Sequence, residues 1–150
     1  MNAAAFPTEL EANLVDALRE DPAAWIDGLS IVSCDVTGEI VGYALLTRCT
    51  VDSHPALALG PCAVVPDLQR SGAGSAAIRA GLERARHLGE NLVVVLGHAD
   101  YYPRFGFGPA SRLGITAPFA APDDNFLALT LNPDAAVPSG EVAYAKPFGV

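Results

Sequence analysis

Between residues 57 and 97 the chain reads as an apolar strand, a glycine-bearing loop, an amphipathic helix and a second apolar strand. This order constrains the fold more than any other feature. Two strands joined through one helix lie parallel in a common sheet, and the crossover between them is right-handed. The second strand, Leu92–Leu96, is apolar at every position, the pattern of a strand covered on both faces. The helix before it aligns Ile78, Leu82, Ala85 and Leu88 on one side, and Gly89 supplies its stop. Gly60-Pro61 interrupts the first strand. That predicts a bulge or an unpaired edge, because proline cannot donate to a ladder.

The rest of the chain fits around this unit. Thr8-Glu9-Leu10-Glu11 is a capping box, and Leu10, Leu14, Ala17 and Leu18 then share a helical face that ends at Asp21-Pro22. Stretches 29–36 and 39–48 read as strands joined by a turn at Thr37-Gly38. Residues 101–107 form a short turn or helix, and 113–117 and 125–131 are closing strands. The Pro/Gly-rich connections at 118–124 and 132–140 are loops within one domain, the size expected for 150 residues. With 51% apolar and 17% charged residues the chain can bury a substantial core.

Charge and cysteine usage narrow the function. The net charge of −8 argues against nucleic acid and anionic membranes as partners. No apolar run approaches the ~20 residues of a bilayer span. The first basic residue is Arg19, so a signal peptide is not expected and a cytoplasmic protein is. Cys34, Cys49 and Cys62 form no CxxC, and with His54, His87 and His98 scattered no zinc site can be drawn; no metal is expected. Residues 62–112 are mildly basic, with six Arg against four acids. This suits a small anionic ligand, or, for Arg79, Arg84 and Arg86, a solvated helix face.

Gln69-Arg70-Ser71-Gly72-Ala73-Gly74 opens the central helix. Glycines there let a ligand approach the backbone, and the free N–H groups of the first turn favour an anion. In physical terms this is a diphosphate cradle; a loop needing only glycine flexibility would look the same. Without Gly-Lys-Ser/Thr it is not an NTP-binding loop. Gly72-Ala73-Gly74-Ser75-Ala76-Ala77 satisfies G-x-G-x-x-A, so a nicotinamide dinucleotide is an alternative. It is disfavoured because six residues separate Val65 from Gly72 and no acid follows about 20 residues on.

Leu59-Gly60-Pro61-Cys62-Ala63-Val64-Val65-Pro66, the Gln69–Gly74 loop and the downstream Tyr102-Pro103-Arg104-Phe105-Gly106-Phe107 together resemble the GNAT superfamily of N-acetyltransferases. The loop resembles its Q/R-x-x-G-x-G/A signature and the second element its Y-x-x-x-G-F. The resemblance implies an α/β fold of the α+β type, with a mixed, mostly antiparallel twisted sheet flanked by helices. It implies acetyl-CoA as co-substrate. The backbone of Cys62, Ala63 and Val64 would hold the pantetheine arm, and N–H groups from Arg70, Ser71, Gly72, Ala73, Gly74 and Ser75 the pyrophosphate. The strand carrying Val64 and Leu92–Leu96 would splay apart around it.

Acetyl transfer to a primary amine, on a small molecule or peptide, needs an oxyanion donor and a proton for the departing thiolate. A backbone N–H near Val64 suits the first role. Tyr102 suits the second, since a phenol of pKa about 10 is protonated at neutral pH; Tyr101 is read as a packing neighbour. His98 and Asp100 lie near the strand end, but no base is assigned, and Cys62 reads as structural. The family normally begins with a strand, for which the seven residues before Thr8 leave little room; either the sheet lacks it, a partner chain supplies an element or the chain begins further upstream, and without it the 29–36 edge would stand open for a homodimer to cover. A catalytically silent acetyl-CoA-binding module is the other alternative.

Overall fold

The computed structural model describes residues 9–34, 36–38, 40–64, 73–97, 99, 101–132 and 134–148. Helix α1 (Glu9–Glu20) leads into β1 (Ser30–Cys34), β2 (Ile40–Val51) and β3 (His54–Val64); α2 (Ala73–His87) crosses to β4 (Leu92–Leu96). Short strands β5 (Gly108–Pro109), β6 (Ile115–Thr116), β7 (Phe126–Thr130) and β8 (Gly140–Ala143) follow. The sheet runs β5-β7-β4-β3-β2-β8-β6, with β1 also on β2. β3–β4 and β6–β8 are parallel and the remaining pairs antiparallel, which is the expected mixed, mostly antiparallel sheet. Thr8 and its capping role lie outside the described residues. Among those residues no strand precedes α1, and no helix is long and apolar enough to cross a membrane.

The Gly60-Pro61 interruption is a bulge. Ala44 pairs with Cys62 and Leu46 with Leu59, leaving Gly60 and Pro61 opposite Leu45 alone. Gly60 has φ +140, a conformation open to glycine. The parallel pairing of β3 with β4 is short: Leu57 with Val93 and Ala58 with Val94. β3 then continues to Val64 against β2, and β4 to Leu96 against β7. The two central strands therefore part company after Ala58 and Val94.

Side chains on the two sheet faces make separate cores. α2 lays Ala77, Ile78, Leu82 and Ala85 on Ala44, Leu46, Leu57, Val93 and Val95. Burying Ile78 and Leu82 contributes roughly 1.5–3 kcal/mol each. The opposite face packs Cys49, Val51, Ala58, Leu92, Val94, Ile115 and Phe126, and α1 closes it over Tyr43 and Leu45.

Five sequence expectations are corrected. Val15, not Ala17, joins Leu18 in the core; the larger side chain sets the helix rotation and the alanine methyl is left outside. β2 runs past residue 48 to Val51 and turns tightly at Asp52 and Ser53, both at positive φ. Gly140–Ala143 adds a strand on β2, and the 113–117 stretch shrinks to Ile115–Thr116. Leu88 is 45% exposed. Helix α2 ends in paired bonds from Gly89 N–H to Arg86 O (3.0 Å) and from Glu90 N–H to Ala85 O (3.1 Å), with Gly89 left-handed at φ +84. This Schellman turn swings Leu88 off the buried stripe.

The same turn delivers Glu90 to Arg48. Arg48 donates from Nη1 to Glu90 Oε1 at 2.8 Å, from Nη2 to Oε2 at 2.7 Å and from Nη1 to Ala56 O at 3.2 Å. The hydrogen bond to Glu90 raises the guanidinium pKa against the opposing effect of burial. The fork ties β2 to the α2–β4 connection. Glu90→Gln is expected to cost about 1–2 kcal/mol, since it strands a half-buried guanidinium. Replacing both partners by apolar residues should recover part of the loss. Urea unfolding of the single and double variants checks this; an unchanged midpoint in Glu90→Gln contradicts it.

Candidate functional site

The parting of β3 from β4 leaves their ends without a shared ladder, that of β3 carrying Cys62, Ala63 and Val64, and beyond the end of β4 the following turn meets the first turn of α2. From Leu59 onward the facing edges of β3 and β4 share no ladder among the described residues. Backbone donors and acceptors on those edges need another partner.

Helix α2 starts at Ala73, so Ala73, Gly74 and Ser75 form its first turn, which carries no acidic residue. Its last turn holds Arg84, Arg86 and His87. The positive end of the helix dipole is thus uncompensated within that turn, while Arg84 and Arg86 match the negative end. Arg70, Ser71 and Gly72 lie outside the described residues, as do His98 and Asp100. Cys62, Ala63 and Val64 lie in β3 beyond the bulge.

Tyr102 opens a 3-10 turn, Tyr102–Phe105, with Pro103 at its start. Gly106 closes it in a left-handed conformation, its N–H donating to Pro103 O at 3.0 Å. The Tyr102 ring meets Tyr101 edge-on at 5.1 Å and Phe107 edge-on at 5.9 Å. It lies flush against the backbone just past β4. A Cβ at Gly97 would collide with Tyr102 Cε2 and sit 2.8 Å from Cδ2 and 3.1 Å from Cζ. Gly97 itself is pinned to the neighbouring chain: its N–H donates to Asn125 O at 2.9 Å, and Asn125 Nδ2 donates to Gly97 O at 3.0 Å. The phenol therefore rests on a fixed seat at the end of β4. On the other face of this strand end Leu96 is 51% exposed, although its strand neighbours are buried.

Tyr101 does more than pack. Its hydroxyl lies 2.9 Å from Ser75 Oγ in the first turn of α2. Arg79, one helical turn further, sets its guanidinium over Phe105 at 5.1 Å. Sequence reasoning missed Gly97, Asn125 and the Tyr101–Ser75 pair. The doubled tyrosine was the available signal for the pair; Gly97 and Asn125 have none, because their role exists only once the turn is folded.

A concavity of about 320 Å³ opens at the other end of the sheet between Asp21, Arg48, Tyr144 and Lys146. β2 is antiparallel to β3, so this pocket lies at the start of β3, away from the parted ends. Its groups are poorly suited to chemistry. Arg48 is held by Glu90. Burial pushes the Cys49 thiol up to about 12, so it is not a thiolate at neutral pH, and burial likewise raises Tyr144.

Known proteins resemble this chain in sequence and fold. The profile of the Acetyltransferase (GNAT) family matches residues 3–107. The uncharacterized N-acetyltransferase YjhQ of Escherichia coli K12 is 42% identical over 126 residues, covering 81% of this chain and 68% of that protein. The structure of the GNAT family N-acetyltransferase YhbS from Escherichia coli in complex with CoA superposes with a TM-score of 0.88 at 26% identity, over 99% of this chain and 82% of that one. A GNAT family acetyltransferase from Brucella melitensis, solved with acetyl-CoA, gives a TM-score of 0.74 at 30% identity over 98% and 83%. The match spans the split sheet, the helix that starts beside the split and the tyrosine turn, and the chain accordingly belongs to the GNAT family of acetyltransferases.

Proposed function

We propose that the protein transfers an acetyl group from acetyl-CoA to a primary amine by direct attack in a ternary complex. The parting of β3 and β4 beside the start of α2 carries this reading. It offers an open strand edge and an uncompensated helix N-terminus at one end of the sheet. An extended amide arm and a diphosphate need those two features. The solved relatives bound to CoA and acetyl-CoA support the same ligand for this chain, and favour it over a nicotinamide dinucleotide on Gly72-Ala73-Gly74.

In this proposal the backbone of Cys62, Ala63 and Val64 pairs with the pantetheine amides as an added strand. The N–H groups of Arg70, Ser71, Gly72, Ala73, Gly74 and Ser75 hold the pyrophosphate. The N–H near Val64 faces the thioester oxygen, where it stabilises negative charge as the neutral amine adds to the carbonyl carbon. The carbon–sulfur bond then breaks. Tyr102 Oη gives its proton to the departing sulfur, the attacking nitrogen loses its extra proton to water, and solvent reprotonates the phenol, so that the new amide and CoA thiol leave as products. The exposed Leu96 on the far face of the strand end supports an acceptor approaching from that side.

Tyr102→Phe keeps the ring and removes the proton. Its turnover against an amine panel, followed by CoA release, is expected to fall roughly 10²–10⁴-fold with acetyl-CoA affinity held. An unchanged rate with chemistry limiting contradicts the acid role. Gly97→Ala forces the Tyr102 ring off its seat, and is expected to lower kcat by roughly a hundredfold while calorimetric CoA binding changes little. Equal kcat in Gly97→Ala and the parent protein contradicts the seat. Binding of acetyl-CoA with no transfer to any amine in the panel would leave a CoA-binding module instead of an enzyme.

A further inference from the structure

We infer that the Tyr101 and Ser75 hydroxyls form a latch that couples the phosphate-binding end of α2 to the placement of Tyr102. This rests on the proposed roles of Tyr102 and of the helix start. Ser75 is 8% exposed and sits in the first turn of α2. A serine there commonly turns back onto the local backbone; here its Oγ faces the Tyr101 hydroxyl at 2.9 Å, across 26 residues of chain. The pair is partly buried, where a hydrogen bond is stronger than at an open surface.

Tyr101 is the residue immediately before Tyr102, and its ring is held on several sides. Arg104 donates from Nε to Tyr101 O at 2.9 Å and lays its guanidinium over the ring at 4.5 Å. Phe105 meets the ring edge-on at 5.4 Å. Ser75 and Arg79 lie four apart on α2 and so share one face. Through them the 101–105 turn has two anchors on the cofactor helix: Ser75 to Tyr101 and Arg79 to Phe105. Its third support is Gly97 at the strand end. Tyr102 is thus carried on a bridge between α2 and β4. Ordering the first turn of α2 around a diphosphate orders the bridge.

Neither hydroxyl reaches the reacting atoms in this scheme, so Tyr101 and Ser75 are positioning residues. Tyr101→Phe retains every ring contact and removes only the hydroxyl; Ser75→Ala removes the partner. CoA itself is the probe. In the parent protein, saturating CoA is expected to slow backbone hydrogen exchange across 101–107 several-fold. Tyr101→Phe, Ser75→Ala and the double variant are each expected to lose that protection to the same extent, with calorimetric CoA affinity within about threefold of the parent. Their kcat should fall roughly tenfold, no further in the double than in either single, and with KM for acetyl-CoA nearly constant.

Full protection and parent kcat in Tyr101→Phe overturn the latch and leave Tyr101 a packing residue. CoA that binds the parent protein without protecting 101–107 also overturns it, while leaving the proposed function standing. Loss of protection in Tyr101→Phe together with full activity in Tyr102→Phe sustains the latch and removes the acid role. A parent protein that binds no CoA overturns the functional proposal and the latch with it.

Discussion

Everything at the candidate site follows from one interruption of a ladder. β3 and β4 pair at Leu57–Val93 and Ala58–Val94 and then separate. Each strand is committed elsewhere. β3 remains on β2 through a bulge at Gly60-Pro61, and β4 remains on β7, with Gly97 clamped by Asn125 just beyond. Backbone hydrogen-bonding groups inside a sheet are satisfied by a neighbour as a rule. A sheet that withholds the neighbour at one end has a place for an extended ligand there. The helix that joins the two strands has its first turn tied through Ser75 to Tyr101, just past the end of β4, so an open strand edge and a helix N-terminus lie at the same end of the sheet.

The opposite end of the molecule resists the separation. The Schellman turn at Gly89 sets Glu90 against Arg48, and the fork joins β2 to the segment that feeds β4. The sheet is cross-braced at the start of β3 and β4 and open at their ends. Tyr102 gains its position from the open end's own supports: a bare glycine beneath its ring and a turn anchored on α2.

The sequence makes parts of this legible and conceals others, for physical reasons. Leu92–Leu96 announces a central strand because both of its faces are covered. Gly60-Pro61 announces a bulge because proline lacks a donor and glycine tolerates φ +140. The Asp52-Ser53 hairpin carries no glycine, although both residues adopt positive φ, so its turn has no local signature. Ala17 fits the α1 periodicity and yet lies outside the core, because periodicity counts positions and burial depends on volume. Gly140–Ala143 is too short and too mixed to stand out before β2 offers it an edge. Gly97 reads as an ordinary residue after a strand; its lack of a Cβ matters only because Tyr102 folds back onto it. Cys62, Ala63, Val64 and Tyr102 came from motif resemblance, and composition alone would not have singled them out.

The most direct test is the structure of the protein crystallised with CoA. The pantetheine arm is expected between β3 and β4, with its amides bonded to the backbone of Cys62, Ala63 and Val64. The pyrophosphate should lie on the start of α2, and the sulfur within hydrogen-bond reach of the Tyr102 hydroxyl. CoA seated in the pocket by Arg48 and Lys146, or β3 and β4 zipped together beyond Ala58 with CoA bound elsewhere, would contradict the account.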